Sequence, residues 1–208
     1  MLNQMYRNKI SSYKSIDFWD KIKYLSSNPN LFFEKIKSEE GIKNSLLTFI
    51  IVGFFVDIIS YGMYYGMRFM QYRGSLFGTP LGFFELFAYF GFFPYLPTMG
   101  FLLVLLISFA YSGMIHAIVI AFKGEGTYVA TYKAYAYGMI PFLILKLIPL
   151  IGYLSIVYSF ILMIKGVAKL HNISKVKSAL ACLMPIIFFI GILIIAIIYF
   201  FIGWGYIF

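Results

Sequence analysis

Residues 127–174 read TYVATYKAYAYGMIPFLILKLIPLIGYLSIVYSFILMIKGVAKLHNIS, and their reading decides the fold. Between Lys133 and Lys165 lie thirty-one residues with Lys146 as the only charged one. A straight membrane crossing takes about 20 residues. The run is too long for one such span, and Pro141, Pro149 and Gly152 interrupt it. It is predicted to be a bent pair of spans at 134–147 and 150–164, with KLIPLIG (146–152) as the tip. Lys146, near that tip, is expected to snorkel to the headgroups instead of sitting at mid-bilayer.

The rest of the chain agrees on class. Apolar residues make up 62% and charged ones 12%, with a mean hydropathy of +0.86; a soluble domain carries about 25% charged residues. The expected fold is all-α, a polytopic membrane bundle. Its 24 Phe and 18 Tyr suit rings placed at lipid interfaces. A net charge of +9 invites a nucleic-acid reading. However, the Lys and Arg residues cluster between apolar spans, where they set orientation and meet anionic headgroups. No basic face with base-reading groups is present, so nucleic acid is not an expected partner. Cys182 stands alone in an apolar run and reads as a small hydrophobe. The first 40 residues hold no apolar stretch of the kind a signal peptide needs.

Taken in order, residues 1–43 are expected to form cytoplasmic amphipathic helices. Ile16, Phe18, Trp19, Ile22 and Leu25 fall near helical spacing among lysines, as in a helix lying on the leaflet. Asn28-Pro29 is a helix start, and the helix is expected to run through Leu31, Phe32, Phe33 and Ile36 to Gly41. Membrane spans are predicted at 45–67, 98–122, 134–147, 150–164 and 180–201, within a membrane domain at 44–203. Residues 74–96, rich in Gly, Pro and aromatics and carrying Glu85, read as an interfacial or re-entrant segment. Residues 123–133 read as a polar turn and 165–177 as a basic loop. Residues 204–208 read as an aromatic anchor.

Five spans put the chain ends on opposite sides. With the N-terminus inside, 14 of the 17 Lys and Arg residues face the cytoplasm and only Arg68, Arg73 and Lys146 lie outside. The positive-inside rule therefore predicts a cytoplasmic N-terminus.

Among individual residues, Asp57 stands out. A carboxylate near the middle of a span costs a few kcal/mol unless it is protonated, paired or wet. It is an ion or proton site, or a partner for Lys146, His116 or a tyrosine hydroxyl. His116 lies about 10 Å from the cytoplasmic edge at 1.5 Å per residue and reads as hydrogen-bonded packing. Tyr135, Tyr137, Gly138 and Pro141 form a kink motif that serves packing or a partner helix, and Pro141 leaves the Tyr137 carbonyl needing a new donor. Pro149 and Gly152 make the tip. Lys35, Lys37, Lys165, Lys169, His171, Lys175 and Lys177 form the expected cytoplasmic surface, with His171 solvated or on headgroups.

No catalytic constellation is visible: there is no Gly-x-Ser-x-Gly, His-Glu-x-x-His or Gly-x-x-x-x-Gly-Lys. Ser112 and His116 share a helical face, without a third orienting group, and read as packing. Two His and one Cys, widely separated, have no zinc-type spacing. An enzyme is not expected, nor a metal or cofactor.

Several of these stretches resemble the Yip family, the Ypt-interacting proteins, over most of residues 29–190. Asn28-Pro29 with Phe32-Phe33, Lys37 and Glu39-Glu40-Gly41 resembles the Pro-x-x-Phe-Phe entry helix of prokaryotic members. His116 followed by Lys123-Gly124-Glu125-Gly126-Thr127-Tyr128 resembles their second span and glycine-rich turn. Tyr135-Ala136-Tyr137-Gly138 with Pro141 resembles the tyrosine-proline motif, and Ile148-Pro149-Leu150-Ile151-Gly152 the hairpin tip. Leu170-His171-Asn172-Ile173-Ser174 and Pro185 resemble the fourth loop and fifth span.

The resemblance implies five helical spans and a cytoplasmic N-terminus. For eukaryotic members it implies binding of Rab-type small GTPases on early secretory membranes. The Asp-Leu-Tyr-Gly-Pro motif and long tail of those members are absent, so the chain reads as a prokaryotic-type member, placed in the cell membrane; a eukaryotic one would sit in the Golgi or endoplasmic reticulum.

Two functions are expected. The first is a non-enzymatic membrane scaffold or adaptor for membrane organisation or trafficking. Its partners are the bilayer, anionic headgroups, and a membrane protein, small GTPase or second copy. The alternative is a small transporter or channel using Asp57 and the broken 74–96 segment.

Overall fold

A computed structural model describes residues 18–72 and 95–205, and every element among them is a helix. The order is α1 (Phe18–Ser27), α2 (Pro29–Ile36), α3 (Lys43–Tyr72), α4 (Tyr95–Ala121), α5 (Tyr128–Gly138), α6 (Ile140–Leu145), α7 (Pro149–His171) and α8 (Lys175–Gly205). Among the described residues four helices are long and apolar enough to cross a membrane, over Lys43–Met67, Thr98–Ala121, Leu150–His171 and Lys175–Phe200. The expected segment at 74–96 with Glu85 lies outside the described residues except for Tyr95 and Leu96, which open α4. The first 17 residues and most of the terminal anchor lie outside them too.

The stretch quoted first forms the centre. α5 packs most extensively against α7 and also lies on α3 and α4, while α8 leans on α4 and α7. Gly138 makes the closest approach possible, since a Cβ there would lie 2.9 Å from the Met163 backbone nitrogen. Tyr132, Tyr137, Ile115, Leu162 and Met163 fill the core around this crossing.

Three expectations about boundaries change. The arm predicted at 134–147 starts earlier, at Tyr128, and is divided at Met139 into α5 and α6. Pro141 cannot donate, and the Phe142 N–H is satisfied by Ser159 Oγ at 2.9 Å. The Tyr137 carbonyl shares the Met139 N–H with Tyr135. The basic loop predicted at 165–177 is mostly helical, because α7 runs on to His171. Asn172, at φ 55°, ends it in the left-handed conformation that asparagine tolerates, and the Ile173 N–H closes on the Ala168 carbonyl at 3.1 Å. The polar turn ends at Thr127, where α5 begins.

The third change concerns the N-terminal helices. Asn28 caps α2, accepting from the Leu31 N–H at 3.1 Å, with Pro29 in the first turn. The helix stops at Ile36 rather than at Gly41. Of its apolar side, Phe32, Phe33 and Ile36 are fully buried on the bundle, while Leu31 is exposed. Gly166 makes room for it: a Cβ there would stand 2.6 Å from the Phe33 ring.

Candidate functional site

One end of the bundle gathers the start of α3, the ends of α4 and α7 and the start of α5, with α1 and α2 laid over them. Its polar groups are buried in two connected sets. In the first, Lys21 of α1 pairs with Glu39 at 2.6 Å and donates to the Tyr137 hydroxyl at 3.1 Å. Tyr137 in turn donates to the other Glu39 oxygen at 3.3 Å. Lys133 bonds the main-chain carbonyl of Glu39 and lies 3.5 Å from that of Ile36.

In the second set, His171 Nδ1 lies 2.6 Å from the Glu125 carbonyl and its Nε2 lies 2.9 Å from the Thr131 hydroxyl. Thr131 is also 3.0 Å from His116 Nδ1. A carbonyl only accepts, so His171 carries its proton on Nδ1 and its Nε2 accepts from Thr131. Thr131 then accepts from His116 Nδ1–H. This directed chain joins α4, α5 and α7. Outside it, the Asn172 amide donates to Glu125 Oε2 at 2.6 Å and accepts from Lys37 at 3.0 Å.

Asp57 and Lys146 lie elsewhere. The Lys146 ammonium bonds the Asp57 carboxylate, so Lys146 is turned to α3. Of the three partners expected for Asp57, this is the one the structure supplies.

The kink residues are enclosed within the chain. Tyr135 packs its ring on Phe49 and Tyr111, with centroids 5.9 and 5.7 Å away. Tyr137 stands edge-on to Phe32 at 5.1 Å. Gly138 and Pro141 are buried. Pro149 opens α7, and Gly152 lies where a Cβ would meet the Lys146 Cα at 3.0 Å. Ser112 lies 3.0 Å from the Tyr128 hydroxyl while His116 turns to Thr131, so each has its own partner.

The surface lysines divide. Lys35 sits 3.9 Å over the Tyr24 ring, Lys169 pairs with Glu34 at 3.4 Å and Lys165 is half-buried; Lys37, Lys175 and Lys177 are exposed. His171, expected at the surface, is fully buried, because α7 continues through it and Thr131 and Glu125 enclose its ring. Sequence reading missed Lys21, Glu39, Thr131 and Lys133 as a group. One signal was available, a single charge at Lys133 inside TYKAYAYG. Among the described residues no three His, Cys, Asp or Glu side chains come together as metal ligands would.

Four long apolar helices around a polar, side-chain-closed end define a multi-pass helical membrane protein. The chain matches the Yip1 domain over residues 23–206 and belongs to that family. The match begins within α1, so α2 is part of the domain rather than an appendage to it. No curated protein and no solved structure matches the chain.

Proposed function

We propose that the protein is a non-enzymatic membrane scaffold or adaptor that meets its partners through the polar end of the bundle. The observation that carries this reading is the placement of Lys37, Lys175 and Lys177, exposed at one end whose interior is closed by side chains. Such a surface offers positive charge to anionic headgroups or an acidic partner. The pairing of Asp57 with Lys146 supports a structural task for that carboxylate over a solute pathway. α5 and α6 together count as the third of five crossings; at 1.5 Å per residue, residues 128–145 extend about 27 Å, close to the hydrocarbon thickness. The polar end is cytoplasmic, in agreement with the charge distribution.

Crosslinking in native membranes followed by affinity isolation tests the reading. Lys175→Glu/Lys177→Glu is expected to lose a partner that the wild type recovers. Identical recovery from both, together with solute flux in proteoliposomes that Asp57→Asn abolishes, overturns it in favour of transport. A cysteine added at the C-terminus is expected to react only from the outer face.

A further inference from the structure

Beside the Lys133 cluster lies a cavity of about 320 Å³, lined among others by Lys37, Glu39, Gly126, Thr127 and Lys133. Its charges are unbalanced. Lys21 and Lys133 are both nearly inaccessible, yet the one carboxylate between them, Glu39, is committed to Lys21 and Tyr137. The Lys133 ammonium has three protons, and its hydrogen-bond partners among the described residues are the neutral carbonyls of Ile36 and Glu39. A buried cation is costly without an anion. Lys37 adds a further positive charge at the rim, where it donates to the Asn172 side chain, and Asn172 in turn donates to Glu125. The Thr127 hydroxyl makes no capping bond to α5, so it remains a donor on the cavity wall.

We propose that this cavity binds a terminal, net-anionic phosphate group, carried by a lipid headgroup or by a free phosphate compound, between Lys37 and Lys133. The cavity volume is at the lower end of small-ligand sites, about 300–1,000 Å³, and holds a phosphate with a small substituent. Paired ammonium groups supply charge-assisted hydrogen bonds to its oxygens. Thr127 adds a neutral donor, and the Glu39 carboxylate is charge-balanced by Lys21. The site rests on the reading that this end of the bundle meets anionic headgroups, and it gives that contact one defined position.

The test uses the full-length protein in uncharged detergent at constant ionic strength. Thermal unfolding is followed against inorganic phosphate, dioctanoyl phosphatidate and dioctanoyl phosphatidylcholine. A saturable rise in Tm with phosphatidate is expected, weakened about tenfold or more in apparent affinity by Lys133→Gln. Lys37→Gln, an exposed substitution that leaves the fold intact, is expected to weaken it several-fold and keeps the test valid if Lys133→Gln fails to fold. Binding of both phosphatidate and inorganic phosphate supports recognition of the group from either source; binding of phosphatidate alone supports a lipid site. Equal binding of phosphatidylcholine, no saturable shift, or affinities indifferent to Lys37→Gln overturn the proposal. Lys175→Glu/Lys177→Glu leaves the cavity intact, so failure here is distinct from failure of the scaffold reading.

Discussion

The Lys146 ammonium, at the bend joining α6 to α7, bonds the Asp57 carboxylate halfway along α3. The pair clasps the tip of the central hairpin to a neighbouring helix. Removing one partner strands the other charge in a poorly solvated place, which costs about 3 kcal/mol, whereas removing both costs less. Asp57→Asn and Lys146→Met are each expected to lower Tm in detergent by several degrees, and the double variant by less than either. Additive losses would show that the two residues act independently.

The chain from His116 through Thr131 to the Glu125 carbonyl determines a tautomer. His171 is expected to be the Nδ1–H form, which ¹⁵N NMR of a ring-labelled sample reads directly. Thr131→Val leaves two ring nitrogens without their shared partner and is expected to cost about 1–3 kcal/mol. Thr131→Ser keeps the hydroxyl and is expected to retain most of the stability. An Nε2–H resonance for His171 would contradict the assignment.

Helix crossings give a contrast among glycines. At Gly138 a Cβ meets Met163 backbone, which cannot turn aside, so Gly138→Ala is expected to destabilise by about 1–3 kcal/mol. At Gly62 a Cβ meets nothing within 4 Å. There the same substitution is expected to be neutral or stabilising by about 0.4–1 kcal/mol through lost chain entropy. Chemical denaturation of the two variants side by side checks the ranking.

Much of the fold was legible where the signal is local. The long apolar runs that became α3, α4, α7 and α8 need only composition, and Gly138 with Pro141 marked the break between α5 and α6. The extension of α7 through Lys165, Lys169 and His171 was not legible in the same way. Those residues look like a basic loop, and the chain stays helical there while α2 lays Phe33 over Gly166. The buried polar end was hidden for the same reason. Lys21 and Tyr137 are 116 residues apart, and Lys37 and Asn172 are 135 apart, so nothing within either neighbourhood announces the other. Asp57 was conspicuous alone, and its pairing depended on where the bend at Lys146 landed.

That separation also orders events in time. Lys21 cannot reach Tyr137 until 116 further residues have been made, which at 5–20 residues per second takes about 10 s. During synthesis the N-terminal helices wait beside the membrane with Phe32, Phe33 and Ile36 unhoused. Only the arrival of α5 and α7 lets them dock. Docking of α2 thus follows the making of α7, and a variant that slows emergence of α7 is expected to prolong the exposure of α2 to proteases without touching a single contact of the finished bundle.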